Sequence, residues 1–226
     1  MAKITLTFDN GPVVGSTEKI LDLLRARSLR ATFFVIGQRL AEPANRRLAE
    51  RAKAEGHWIG NHTLTHGKPL GLCDDPAHTV NEIAATQAML GDLAEAERYF
   101  RPVGGGRLGP HLLDQAALEY RVVNSYTLVT WNNVPRDWVE PRRDWVDLAL
   151  KTMEDCDWTL LVVHDHALDG ILDTLETFLD RVDAMGVEIV QAFPESCMPI
   201  RCGSVHGSLD DLVTRARATA GAPSQQ

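Results

Sequence analysis

The chain has 226 residues, of which 44% are hydrophobic, enough for one domain with a substantial core. Its 23 lysines and arginines stand against 31 aspartates and glutamates, which gives a formal net charge of −8. This charge disfavours nucleic acid and anionic membranes as partners, and no apolar run approaches the roughly 20 residues of a membrane helix. Composition leaves the oligomeric state open.

The amino terminus enters an alternating strand pattern at once, without the apolar stretch and cleavage site of a secretory signal. We therefore expect a cytoplasmic protein, although a signal already trimmed from the chain would leave the same pattern. The cysteines are scattered and do not resemble a disulfide framework, so reduced thiols are expected. They are Cys73, Cys156, Cys197 and Cys202.

Strand and helix patterns alternate along the first half of the chain. Ser16 is placed to cap the first helix, and Gly56 follows the second, where a residue with positive φ is favoured. A flexible glycine-rich segment is predicted at 103–109. The predicted elements here are strands at 4–8, 31–36 and 57–59 and helices at 16–26, 45–55 and 79–98.

The alternation continues to the carboxyl-terminal region. Further strands are predicted at 122–123, 128–131, 160–163 and 187–190, and helices at 112–119, 142–153 and 171–185. Repeated βα units predict a parallel sheet with helices outside it, either an open doubly wound sheet or a barrel. About seven units in one domain, residues 1–217, favour an incomplete (β/α) barrel, and the small polar residues 218–226 predict a flexible tail.

Polar side chains follow these strands at their carboxyl ends, which gather on one face of a parallel α/β fold and there form sites. They are Asp9, Asn10, Asn61, His62, His66, Arg101, Asp137, Trp138, His164, Asp165 and His166. Taken singly, each has a structural explanation, such as a capping aspartate or a core histidine. Their joint placement favours a functional site.

His62 and His66 are four residues apart, a spacing that puts two imidazoles on one side of a helical turn. Both could then reach one metal ion, with a carboxylate or amide oxygen completing the set. Without context, this spacing is more typical of solvated or locally hydrogen-bonded histidines. The carboxyl-terminal Cys197, Cys202 and His206 match no strong zinc pattern, and ordinary thiols are expected there.

Three ordered blocks resemble one known family. They are Thr7-Phe8-Asp9-Asn10-Gly11-Pro12, the run ATFFVIG at 31–37 and the run EGHWIGNHTLTH at 55–66. These blocks closely resemble the polysaccharide deacetylase family, the NodB-homology domains of carbohydrate esterase family 4. Weaker resemblance continues through residues 100–102, 131–138 and 161–164, so that it covers about residues 3–190.

The resemblance implies a distorted (β/α) barrel that holds a divalent metal ion, commonly zinc. By position, His62 and His66 match the two histidine ligands, and Asn10 stands where the family has its metal-binding carboxylate. Asp9 matches the general base, and His164 matches the general acid. A metal-activated water then attacks the acyl carbon, and the acid protonates the departing amine.

The remaining site residues are also assigned by the resemblance. Arg101 matches the arginine that orients the base, and Asp137 matches the carboxylate that tunes the acid. Gly104 falls where a backbone N–H serves the oxyanion, and it replaces the usual aromatic residue, so the aromatic wall is expected to be missing. Trp138 is a candidate for the sugar-binding wall.

The sequence thus predicts a metal-dependent hydrolase of amide C–N bonds that deacetylates an N-acetylated carbohydrate. Without evidence of export, a soluble N-acyl sugar is a more plausible substrate than a cell-wall polymer. Hydrolysis of a small cytoplasmic amide or ureide on the same site is one alternative. Because Asn10 removes a negative charge from the metal site, weaker metal binding is expected, and a non-catalytic barrel that binds metal or sugar is another alternative.

Overall fold

The computed structural model of the protein describes residues 2–214, in which a curled nine-stranded sheet and six α-helices form a half-barrel. The predicted distorted, incomplete (β/α) barrel is therefore confirmed. The strands are β1 (Lys3–Gly11), β2 (Thr32–Val35), β3 (Trp58–Asn61), β4 (Tyr99–Phe100), β5 (Thr127–Leu128), β6 (Trp158–His164), β7 (Glu188–Ile189), β8 (Ile200–Arg201) and β9 (Ser204–Val205). The helices are α1 (Thr17–Ala26), α2 (Pro43–Ala54), α3 (Pro76–Leu90), α4 (Gln115–Val123), α5 (Trp145–Met153) and α6 (Leu172–Ala184).

The sheet has the strand order β6-β1-β2-β3-β4-β5-β8-β9, and β7 pairs with the amino-terminal part of β1. Strands β1 to β6 run parallel, whereas β8 and β9 are antiparallel additions. A single parallel bridge joins Asn133 to Leu161, and Val162 N donates to Asn133 O at 2.9 Å. The segment after β5 thereby returns to the outer edge of β6, which curls the sheet toward closure.

Both faces of the central strands are buried, which explains their continuous apolar sequence. In β6, Leu161 and Val163 face the helices, while Leu160 and Val162 belong to a second cluster inside the curl. Strand β1 alternates in the same way, because Ile4, Leu6 and Phe8 pack in the helix-side cluster. Its intervening polar residues, Thr5, Thr7 and Asp9, are buried on the other face, which points toward the centre of the curl.

The bounds of two predicted helices and one predicted strand need correction. The helix predicted at 79–98 runs from Pro76 to Leu90, since Asp75 caps its start by accepting from Ala77 N at 2.9 Å. It stops at Gly91, whose φ of 51° breaks the helical backbone. The strand predicted at 122–123 is wrong, because these residues form the last turn of α4. That helix starts late, where Asp114 accepts from Ala117 N at 2.7 Å.

Two smaller differences concern a cap and a strand. Ser16 occupies the position before α1 but makes no side-chain cap; its hydroxyl instead donates to the carbonyl oxygen of Asp165. The strand predicted at 128–131 shrinks to β5, Thr127–Leu128. The short β5 leaves the following residues free to turn toward β6.

The prediction of reduced thiols is confirmed, since all four cysteines are free. Within residues 2–214, no helix is long and apolar enough to cross a membrane. The predicted tail, 218–226, lies outside the described residues. The single domain at 1–217 and the cytoplasmic location stay predictions.

Candidate active site

A cleft of about 370 Å³ opens at the carboxyl ends of the parallel strands. It is lined by Asp9, Asn10, His62, His66, Pro102, Gly104, Gly105, Gly106, Trp131, Val134, Arg136, Trp138, Val162, His164 and His166. Seven of the nine residues predicted for the site line this cleft. The other two, Arg101 and Asp137, are fully buried and bind cleft residues from behind.

The end of β1 turns two successive side chains into the cleft. In a regular strand, Asp9 and Asn10 would point to opposite faces. The pairing with β2 shifts register between Asp9 and Gly11, and Asn10 adopts a φ of 69°. Asparagine tolerates this left-handed conformation better than most residues. The resulting bulge lets the Asp9 carboxylate and the Asn10 amide line one cavity.

The two cleft histidines lie on a loop that follows β3. This segment has no helical turn, so the helical geometry predicted from the spacing is wrong. The loop folds back instead: Asn61 Oδ1 accepts from Thr63 N at 3.0 Å, and Thr63 Oγ1 accepts from His66 N at 3.2 Å. The rings of His62 and His66 still meet, with centroids 4.9 Å apart. The predicted proximity of the two imidazoles is confirmed, but a folded loop and not a helical turn brings them together.

A buried glutamate on α3 holds this histidine loop. Glu82 Oε2 accepts from Leu64 N at 3.1 Å and from Thr65 N at 3.0 Å, and both carboxylate oxygens accept from Thr65 Oγ1. These amides have no strand partner in a loop, and the Glu82 carboxylate supplies their acceptor. Glu82 therefore fixes the loop between His62 and His66.

Arg101 and Asp9 form a buried ion pair below the cleft. Arg101 Nη1 donates to Asp9 Oδ1 and to Thr7 Oγ1, each at 2.7 Å, and the arginine side chain is fully buried. Burial alone would raise the pKa of Asp9. The positive charge of Arg101 outweighs it, with help from the nearby imidazoles of His62 and His164, and the net pKa lies below its ordinary value. Asp9 is thus ionised at neutral pH.

His164 is held across from Asp9 by Asp137. The register of β1 and β6 pairs Asp9 with His164, and Asp137 Oδ1 lies 2.8 Å from His164 Nδ1. Asp137 Oδ2 also accepts from His164 N at 2.7 Å, and the Trp138 ring meets the imidazole edge to face. Burial lowers the pKa of His164, but the hydrogen bond and charge of Asp137 outweigh it, so the net pKa is raised. Asp137 therefore favours the protonated imidazole.

A tryptophan fills the space beside the glycine segment. A side-chain carbon at Gly104 would lie 2.5 Å from the Trp131 ring and 2.7 Å from Leu112. Trp131 and Trp138 both line the cleft. The expectation that the aromatic wall is missing is therefore wrong: an indole from the segment after β5 supplies one, and it requires glycine at 104.

The donor set around His62 and His66 suits a divalent metal ion. His62 Nδ1 lies 2.8 Å from the carbonyl oxygen of Arg101, which only accepts, so Nδ1 carries the proton and Nε2 keeps its lone pair. Burial lowers the pKa of His62, and it lowers that of His66 to about 3. Both imidazoles are therefore neutral, as metal ligands must be.

Asn10 supplies a possible third donor. Its Oδ1 is buried without a hydrogen-bond partner, which is costly unless a ligand pairs with it. Among residues 2–214, no group of three or more His, Cys, Asp or Glu side chains is placed to hold a metal ion. A site here would thus combine two imidazoles with a neutral amide oxygen.

Sequence reasoning left several supporting residues without a role. Thr7 and Glu82 position the ion pair and the histidine loop, and Trp131 and Arg136 line the cleft. The available signal for Glu82 was its position as an acidic residue on the buried face of an amphipathic helix. No sequence pattern distinguished Trp131 or Arg136, because they reach the cleft only through the turn after β5.

The family model described as polysaccharide deacetylase matches residues 2–123, more than half of the chain. The chain therefore belongs to the polysaccharide deacetylase family, the NodB-homology domains of carbohydrate esterase family 4. The matched residues contain Asp9, Asn10, both cleft histidines and Arg101, whereas His164 and its partner Asp137 lie beyond them.

Two relatives and one solved structure illustrate the likeness. The chain is 33% identical over 195 residues to a peptidoglycan-N-acetylglucosamine deacetylase of Bacillus cereus, covering 84% of this chain and 66% of the relative. It is 35% identical over 143 residues to a chitooligosaccharide deacetylase of a Bradyrhizobium species, covering 62% and 61%. This chain thus spans about two thirds or less of the length of these relatives.

The fold also matches a mutant of a CE4 family pseudoenzyme with restored enzymatic activity. The TM-score is 0.69, with 19% identity, and the match covers 83% of this chain and 65% of that one. At this identity the likeness establishes the fold alone.

Replacing Arg101 by methionine is expected to lower the free energy of unfolding by about 3–5 kcal/mol at pH 7, because Asp9 would stay buried without its cation. The depressed pKa of Asp9 stabilises the native protein above the ordinary carboxyl pKa of about 4, and this contribution is lost as pH falls through the depressed value. The difference between wild type and Arg101→Met should therefore shrink in acid. Urea unfolding at several pH values measures it.

Arg143→Met is the matched control, since Arg143 pairs with Asp173 on the exposed surface. Its free energy of unfolding should stay close to that of the wild type, because solvent screens an exposed pair. Asp9→Asn added to Arg101→Met should recover part of the loss. Equal costs for the two single variants would contradict a buried, stabilising pair.

Proposed function

We propose that this protein is a metal-dependent deacetylase that hydrolyses the acetamide C–N bond of an N-acetylated carbohydrate. The observation that carries the proposal is the pairing of two oppositely tuned groups across one cleft. Arg101 lowers the pKa of Asp9 and favours its ionised form, and Asp137 raises the pKa of His164 and favours its protonated form. A base and an acid with pKa values displaced in opposite directions are what amide hydrolysis needs.

Asp9 is the proposed general base. Its Oδ1 is occupied by Arg101, while Oδ2 faces His62 Nε2 at 3.6 Å, on the cleft side of the carboxylate. Arg101 thus fixes the carboxylate plane and leaves one oxygen to take a proton from water. The water oxygen attacks the acetyl carbon, and the carbonyl oxygen gathers negative charge.

His62, His66 and Asn10 are the proposed ligands of a divalent metal ion, with zinc as the leading choice because two imidazoles bind it well. When bound, such an ion polarises the acetyl carbonyl and lowers the pKa of a water molecule to about 7. The chain holds His62 in the required tautomer through the carbonyl oxygen of Arg101, and Glu82 holds the loop.

His164 is the proposed general acid. As the C–N bond breaks, its Nε2 proton passes to the leaving nitrogen, because an amine anion is too basic to depart. Nδ1 stays bonded to Asp137, which orients the ring. The products are acetate and the free amino sugar. The backbone N–H of Gly104 is the proposed donor to the carbonyl oxygen, and Trp131 and Trp138 offer apolar faces to the sugar rings.

The substrate class is supported by the relatives, which are named for N-acetylglucosamine in peptidoglycan and for chitooligosaccharides. One observation favours a second candidate, a barrel that binds without catalysis: Asn10 gives the metal site no anionic ligand. The fold is compatible with that candidate too, since it is shared with a pseudoenzyme. The intact acid and base favour catalysis, because binding alone needs neither.

Acetate release from N-acetylglucosamine oligomers of two to six units tests the proposal. Activity should require a divalent ion, disappear on chelation and return when zinc is added. His62→Ala should reduce kcat/KM by at least about 100-fold, since a metal ligand is lost, whereas His206→Ala, exposed in the carboxyl-terminal segment and away from the cleft, should not change it. Turnover that survives both chelation and His62→Ala would rule out the metal-dependent mechanism.

Asn10→Asp should tighten zinc binding by about tenfold or more, because a carboxylate adds a negative charge beside the cation. Competition titration with a chromophoric chelator measures this without turnover. Asn81→Asp, on the exposed surface of α3, adds the same charge away from the cleft and should leave the affinity unchanged. Equal affinity of wild type and Asn10→Asp would place residue 10 outside the metal site.

The acid role of His164 predicts a particular pH dependence. Because the protonated imidazole is the active form, kcat/KM should fall as pH rises through its raised pKa. Asp137→Asn removes the charge that raises this pKa, so the alkaline limb should move to lower pH, and activity at pH 8 should drop by about 10- to 100-fold. Asp147→Asn, in a surface pair with Arg181, is the control. An unmoved alkaline limb in Asp137→Asn would exclude His164 as the acid.

A further inference from the structure

One charged residue on the cleft wall is unused by the mechanism. Arg136 lines the cleft together with Trp138, Gly106 and Val134, and its side chain is exposed to solvent there. Within the part of the chain that the structure describes, its guanidinium has no hydrogen-bond or ion-pair partner. Arginine presents five donors in a fixed plane, which suits oxyanions.

The charge balance of the cleft isolates Arg136. Asp9 is paired with Arg101, and Asp137 is hydrogen-bonded to His164, so neither carboxylate is free to pair with Arg136. The Arg136 guanidinium is therefore an exposed, unpaired positive charge on the cleft wall. In a chain of net charge −8, such a charge creates a local preference for anions.

The next acidic residue along the chain after Asp137 does not neutralise Arg136. Glu140 lies four residues further on, but its carboxylate is bonded to Arg142: Oε1 lies 3.4 Å from the guanidinium Nε, and Oε2 accepts from Arg142 N at 3.1 Å. The Glu140 side chain is also 81% exposed, so solvent screens its charge. Arg136 is thus left available for a ligand.

The backbone fixes Arg136 beside the acid. Its φ is 59°, an uncommon value for a non-glycine residue, and its carbonyl oxygen accepts from Val139 N at 2.9 Å. This turn contains Asp137 and Trp138, which bind and cover His164. The residue that carries the free cation is therefore tied to the residues that set the acid, at the side of the cleft where the leaving amine stands in the proposed mechanism.

We propose that Arg136 selects N-acetylated sugars that carry an oxyanion group, a carboxylate or a phosphate, close to the acetamide. This inference rests on the proposed deacetylation and names its substrate class. The anion accepts hydrogen bonds from the N–H groups along the edge of the guanidinium, while the sugar ring lies against Trp131 or Trp138. Neutral oligosaccharides fill the same cleft without this contact and are poorer substrates.

The test compares three matched oligosaccharides: chitotetraose, its C6-carboxylate form and its C6-phosphate form. Wild type should prefer one or both anionic forms by about tenfold in kcat/KM, as expected for one charge-assisted contact, and added salt should reduce the preference. Arg136→Gln should bring the ratio close to one, and Arg136→Glu should invert it. Arg136→Lys should keep part of the preference, since the charge remains without the planar donors.

Arg107→Gln is the control, because Arg107 is exposed on the neighbouring glycine segment and does not line the cleft. It should keep the wild-type ratio. Binding of the same sugars, followed by tryptophan fluorescence, provides a readout that needs no turnover. Absence of acetate release from all three sugars would contradict the proposed function, whereas a binding ratio that Arg136→Glu leaves unchanged would overturn this inference.

Discussion

The buried ion pair of Arg101 and Asp9 is the interaction on which the rest of the site depends. Arg101 follows β4, yet its guanidinium reaches Asp9 and Thr7 on β1 and the carbonyl oxygens of Val129 and Thr130 beyond β5, and its own carbonyl oxygen holds His62. One side chain thus connects strands from opposite sides of the curled sheet. A buried arginine is costly unless all of its donors and its charge are matched, and here the matching groups are those of the site.

This constraint couples catalysis to folding. The same contact that keeps Asp9 ionised also closes the polar centre of the half-barrel, above the apolar cluster formed by Phe34, Leu160 and Val162. The guanidinium lies 4.0 Å from the centroid of the Phe34 ring, which supports it from below. Removal of either Asp9 or Arg101 alone would leave a buried charge unpaired, so the proposed base and its arginine are also required for stability.

In the second half of the site, the residue that controls the histidine lies on a loop. His164 lies at the end of β6, in register with Asp9, and is controlled by Asp137 from a loop with no regular structure. That loop also carries Trp138 and Arg136, so the carboxylate that binds His164, an aromatic wall and the exposed cation belong to one turn. We expect changes in this turn to alter what the cleft accepts, because it carries an aromatic side chain and an exposed cation on the cleft wall.

The amino-acid sequence by itself determined the βα alternation, because strand and helix periodicity are local patterns. Its resemblance to the polysaccharide deacetylase family implied the distorted barrel and the nine residues assigned to the site. The sequence did not determine the end of α3 at Gly91, the missing helical turn between His62 and His66, or the helical state of residues 122–123. Trp131 beside Gly104 and the unpaired Arg136 were decided only by the tertiary structure. Their roles depend on contacts between segments far apart in the chain, and such contacts leave no periodic trace in either segment alone.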